Sequence, residues 1–111
     1  MAAHLNWPLR LEERQRVADG AGGFSETWVL RGNLWGDVVV RGVSEADAAA
    51  GEFSRVRYRI TLRGAQEGDP ARPRVGDRLV SGSRIFDVEA VTEKDATGRY
   101  LVAWAREEVL Q

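Results

Sequence analysis

The chain contains no cysteine, one lysine (Lys94) and one histidine (His4). Without cysteine there is no disulfide and no thiolate metal site. A lone histidine near the terminus, with no cysteine or second histidine beside it, is poor material for a zinc centre or a general base. No apolar run approaches the roughly 20 residues that a membrane-spanning helix needs, and no long helical pattern occurs. The N-terminal segment, Met-Ala-Ala-His-Leu-Asn-Trp-Pro, has no basic stretch followed by an apolar one, so no signal peptide is expected. Net charge of one sign is also missing: 16 basic residues meet 17 acidic ones, for a net charge of -1. The usual strongly basic profile of a nucleic-acid binder is therefore absent.

What remains is arginine and alternation. Apart from Lys94, every basic residue is arginine, whose planar fork suits two-pronged pairing with carboxylates at interfaces. In residues 55–63, Val56, Tyr58, Ile60 and Leu62 fall on one side of an extended strand, and Arg55, Arg57, Arg59, Thr61 and Arg63 fall on the other. Period two is the mark of a half-buried strand. The arginine side meets water, carboxylates or phosphate.

At 111 residues the chain is expected to be one domain, with residues 1–8 and 107–111 as extensions. A first strand is expected over residues 9–17, with an edge position or bulge because Glu13 interrupts its apolar side. Asp19-Gly20-Ala21-Gly22-Gly23 reads as a turn; it lacks the lysine of a phosphate-binding loop. A second strand spans 24–34, is bent or bulged by Trp35-Gly36-Asp37 and continues through Val38, Val39 and Val40. Residues 42–53 break the pattern and read as a long excursion: Gly42, Val43, Ser44, Glu45, Ala46, Asp47, Ala48, Ala49, Ala50, Gly51, Glu52 and Phe53. Ser44 there could cap a single helical turn. The striped strand follows, then a polar loop over 64–74, a short strand at 78–80, a tight turn at Ser81-Gly82-Ser83 and a strand through Ile85–Val91. A hairpin turn at 95–98 leads to a last strand at 100–105, with a tail from Arg106. Six or so short strands with turns between them indicate an all-β fold, a small antiparallel β-barrel or sandwich with a long loop between the second and third strands.

The expected core is Leu11, Val17, Trp28, Leu30, Val56, Tyr58, Ile60, Leu62, Ile85 or Phe86, Val88, Leu101 and Trp104. Trp35, beside Gly36, fits either core or an interface rim. Trp7, before Pro8, falls outside the strand pattern and is a candidate partner anchor, as tryptophan is enriched at interface hot spots. Glu12-Glu13 and Glu107-Glu108 are adjacent and point to opposite sides of a strand, so neither makes a carboxylate dyad. No set of residues meets the requirements of a catalytic site, and neither enzymatic activity nor a cofactor is expected.

Taken in order, Arg14, Asp19 with Gly22-Gly23, Trp28 and Trp35, Arg57-Tyr58-Arg59-Ile60, Val75-Gly76-Asp77-Arg78-Leu79, Arg84-Ile85-Phe86-Asp87-Val88 and residues 95–101 resemble one family. It is that of the head-tail joining, head-closure or stopper proteins of long-tailed bacteriophages and phage-derived gene transfer agents. The resemblance spans roughly residues 8–108. It departs at Trp35-Gly36, where the family often has Trp-Ala, and in the alanine-rich segment 42–53. The resemblance implies a β-barrel subunit of a homo-oligomeric ring of six or twelve copies in the neck of a virion or phage-like particle assembled in the bacterial cytoplasm. Its implied partners are a portal-adaptor protein, a tail terminator or tail-tube protein and packaged double-stranded DNA, with no membrane. The loop at 42–53 would project into the DNA channel and help close it. Arg55, Arg57, Arg59, Arg63 and Trp7 would face a neighbouring subunit or the channel. The alternative is a small barrel that binds nucleic acid through the arginine stripe. Against it stand the balanced charge and the expectation of no aromatic side chain on that face to stack on bases.

Overall fold

The computed structural model describes residues 4–45 and 53–110. Six strands make up the described chain: β1 (Trp7–Ala18), β2 (Phe24–Glu45), β3 (Phe53–Arg63), β4 (Arg78–Ser81), β5 (Arg84–Glu93) and β6 (Tyr100–Leu110). All pair antiparallel, and the order β1-β2-β3-β6-β5-β4 closes when β4 pairs with β1. The fold is all-β as expected, and of the two architectures left open by the strand count and turn spacing it is the barrel and not the sandwich. Trp7 and Pro8 belong to β1, and β6 continues through Leu110, so the tail expected from Arg106 is strand.

The inward residues are Leu9 and Leu11 of β1, Tyr58, Ile60 and Leu62 of β3, Leu79, Phe86, Val88, and Ala103 and Ala105 of β6. Leu101 is buried beside them. Of the pair left open by the sequence, Phe86 is fully buried and Ile85 is 39% exposed. Val56 packs at the fringe.

Three expected core residues lie outside, and a fourth is only partly covered. β2 carries one extra residue relative to β1, Arg31, where the register shifts from Leu11↔Gly32 to Glu12↔Leu30. Side chains alternate with period two, so one inserted residue reverses which parity faces in. Leu34 therefore packs on the core while Trp28 and Leu30 turn outward; Leu30 is 50% exposed. Val17 has the expected parity but lies past the barrel. β4 covers β1 only at Arg10–Glu12, so residues 13–18 and 24–30 form a two-stranded ribbon with nothing beneath Val17. In β6 the inward positions belong to small Ala103 and Ala105, and Trp104 between them faces out.

No register shift falls at Gly36; it is where β2 passes from its pairing with β1 (Trp7↔Gly36) to its pairing with β3 (Gly36↔Leu62). Its role is close approach. A Cβ there would lie 2.8 Å from Leu9 Cδ1 and 3.2 Å from methyls of Ile60 and Leu62. The second irregularity of β2 is at Val40/Gly42. Beyond it Gly42–Glu45 pair with Ser54–Arg57, so these residues and Phe53 are strand and not loop. Ser44 is paired with Arg55 and caps no helix. The remainder of the expected loop, residues 46–52, lies outside the described residues.

Candidate assembly surfaces

β3 places its side chains as its alternation dictates. Arg55, Arg57, Arg59 and Arg63 point outward while Tyr58, Ile60 and Leu62 fill the barrel. Arg55 is 3.7 Å from Glu108 of β6. Among the described residues, Arg57, Arg59 and Arg63 have no carboxylate within ion-pair distance. Across β6, Arg57 stands opposite Arg106 and Arg59 opposite Trp104. The arginine face therefore does carry an aromatic, contrary to the sequence expectation, because the parity of β6 turns Trp104 outward.

One row of outward residues can be followed around the barrel through successive pairings: Glu12, Arg78, Asp87, Arg106 and Arg57. Glu12 is buried under its partners, accepting from Arg78 Nε at 2.7 Å and from Arg10 Nη2 at 2.7 Å. Arg78 also lies over the ring of Trp28, 4.1 Å from its centroid. Among the described residues, Asp87 sits between Arg78 and Arg106 without a hydrogen bond to either, and burial raises its carboxyl above the ordinary aspartate value. Arg106 reaches Glu89 at 3.8 Å. Among the described residues, the Nε atoms of Arg55 and Arg106 are buried without an acceptor.

Where β5 and β6 part at one end, a groove of about 430 Å³ opens between Ile85, Asp87, Glu107, Glu108 and Val109. Its floor is a polar network. Arg84 donates from Nε to Glu107 Oε2 at 2.9 Å and from Nη2 to Glu107 Oε1 at 2.9 Å; the Tyr58 hydroxyl donates to the same Oε1 at 2.9 Å. Those hydrogen bonds, Arg84 first, hold the Glu107 carboxyl below the usual glutamate value, while burial and the adjacent carboxylate push the Tyr58 phenol up.

Trp7 is engaged inside the chain. Its Nε1 donates to Ser81 Oγ at 2.8 Å, its ring meets Phe86 edge-on, and Arg84 lies over it. Trp35 is far more exposed, at 58%, and stands between two shallow grooves. Arg31, the inserted residue of β2, is a positioning element that periodicity alone does not reveal. It donates to Asp77 Oδ2 at 2.8 Å and to the Arg72 carbonyl at 3.1 Å, pinning the 64–77 loop to the ribbon.

Comparison with known proteins decides the family. The profile described as phage head completion protein matches residues 1–108. The chain belongs to that family. A chain from the virion of a native gene transfer agent particle superposes with a TM-score of 0.87 at 41% identity, over 99% of this chain and 100% of that one. Protein SF1141 from Shigella flexneri 2a superposes with a TM-score of 0.66 at 18% identity, over 95% and 94% of the two chains, and shares the fold. Comparison with curated proteins gives no match. Membership of the head completion family gives this barrel a structural role in phage-type head closure, so its outer faces and projecting hairpins are the surfaces of functional interest.

Proposed function

We propose that the chain is the neck subunit of a phage-like particle: copies form a ring between the portal-bound adaptor and the tail, and the ring retains packaged DNA. The observation that carries this reading is the 41% identity, over 99% of the chain, with a component of a gene transfer agent virion. A ring built from one repeated head-to-tail contact needs a rigid subunit with two different faces, and a closed barrel meets that need. The paired arms Gly42–Glu45 and Ser54–Arg57 carry the β2–β3 connection away from the core, which suits a segment aimed into a channel. Glu45, Asp47 and Glu52 in that segment would repel phosphate, so DNA would be blocked without being gripped.

The test is removal and return of the gene in a particle-producing strain. Without the protein, electron microscopy should show heads that lack tails or have lost their DNA, and the complemented strain should show intact particles. Normal, filled, tailed particles in its absence would sink the reading. If the purified protein instead shifts oligonucleotides while particles assemble unchanged, the nucleic-acid module is the better description.

A further inference from the structure

The outward side chains of β3 and β5 have opposite character. The uncovered ones of β3 are Arg55, Arg57, Arg59 and Arg63, with no acid among them. Those of β5 include Ile85, Asp87 and Glu89, with no base among them. The two strands are not neighbours; β6 lies between them. Resting on the neck-ring reading above, we infer that the basic β3 face of one copy packs against the acidic β5 face of the next copy, with Arg57 and Arg59 of one subunit set against Asp87 and Glu89 of its neighbour.

Three features fit a second copy better than a DNA duplex. A duplex backbone is uniformly negative, whereas Asp87, Glu89 and Glu108 are interspersed with the arginines of this surface and would repel it. Exposed Ile85 and Val109 lie beside Asp87 and Glu108, an apolar patch with a charged rim as in a protein interface. The groove bounded by Ile85, Asp87, Glu108 and Val109 offers apolar walls for an arginine stem and carboxylates for its head. Asp87 has flanking arginines but no hydrogen bond from either, so a guanidinium arriving from outside completes a site that the single subunit leaves open.

The geometry also orients the subunit. In a closed ring of six strands, outward directions two strands apart diverge by roughly 120°. A head-to-tail ring of six requires its two contact faces to diverge by about that angle, with the surface between them turned toward the axis. That surface is β6. Trp104 and Arg106 would then line the channel, and β1, three strands away, would lie on the outside.

The experiment uses the full chain in producer cells lacking the native copy. One variant reverses the basic face (Arg57→Glu with Arg59→Glu), and a second reverses the acidic face (Asp87→Arg with Glu89→Arg). Each should stay folded by circular dichroism, and each alone should be lost from particles at least tenfold. Produced together they should enter particles again, because the acidic β5 of the first meets the basic β3 of the second, and the converse contact is matched too. Incorporation of either variant alone at the parent level overturns the inference. So does failure of the mixture when both variants are folded and the parent is incorporated. Absence of the parent protein from particles would instead remove the neck-ring reading itself. A reconstruction of the particle with β6 on the outside of the ring would also overturn the inference.

Discussion

Arg84 and Glu107 meet through two parallel hydrogen bonds of 2.9 Å, although they are on strands whose pairing begins only at Asp87↔Arg106. The pair, with the Tyr58 hydroxyl, ties β3, β5 and β6 together where the β5–β6 ladder has stopped. Glu107 is buried and Arg84 is partly exposed, with side-chain accessibilities of 9% and 40%. Glu107→Gln is expected to lower stability by about 1–3 kcal/mol, since it leaves Arg84 with a neutral acceptor and one bond fewer. Arg84→Met should cost less in that background than in the parent, because the two changes share the Arg84–Glu107 contact. A double-mutant cycle in urea checks this, and full additivity would contradict it.

The same carboxylate sets an acid limit. Glu107 is held below its ordinary value of 4.5, chiefly by Arg84. A depressed carboxyl contributes stability that is present above the unfolded value and is lost as pH falls through the folded one. Asp87, raised by burial, has the opposite sign: its contribution is present below the unfolded value and is lost as pH rises through the folded one. Stability of the parent should therefore fall on acidification below about pH 4.5, and Glu107→Gln should flatten that fall. Asp87→Asn should leave the monomer at least as stable as the parent at neutral pH. Thermal melts across pH measure both effects.

Gly36 should tolerate no side chain. A Cβ at that position meets Leu9 at 2.8 Å inside the barrel. Gly36→Ala is expected to cost about 1–3 kcal/mol through overpacking, readable as a lower urea midpoint at unchanged slope.

Asp77 accepts from Arg31 Nη1 and from the Arg74 backbone amide, both at 2.8 Å, and is 4% exposed. Asp77→Asn should loosen the 64–77 loop. Hydrogen exchange should accelerate there while β3 and β6 keep their protection, because the loop contributes only Pro73 and Asp77 to the buried set in that stretch.

Shortening the β2–β3 connection tests the proposed DNA-closing role. Since Gly42–Glu45 are paired, the deletion should spare them and remove 46–52, with a two-residue turn in their place. Rings should form while packaged DNA leaks, measured as nuclease-sensitive DNA in purified particles. Full retention would assign the closure elsewhere.

The sequence by itself determined the all-β class, the order of the strands, the inward set of β3 and the turns at 19–23 and 95–98, because period-two alternation and turn chemistry are local. It also carried the family, through residues spread along the whole chain. Only the tertiary structure decided where the strands outrun the barrel and which parity faces in after an insertion. Val17 alternates correctly yet stays exposed, since β4 is too short to cover it. Trp28 and Leu30 face out because Arg31 adds one residue to β2, and nothing local marks that residue as the extra one. Trp104 reads as core from its place within a strand, yet the inward positions of β6 belong to Ala103 and Ala105. The pairing of Arg84 with Glu107, and the separation of basic β3 from acidic β5 by one strand, depend on which strands become neighbours when the barrel closes. That choice is made by contacts between residues far apart in the chain, so it has no periodic trace along the sequence.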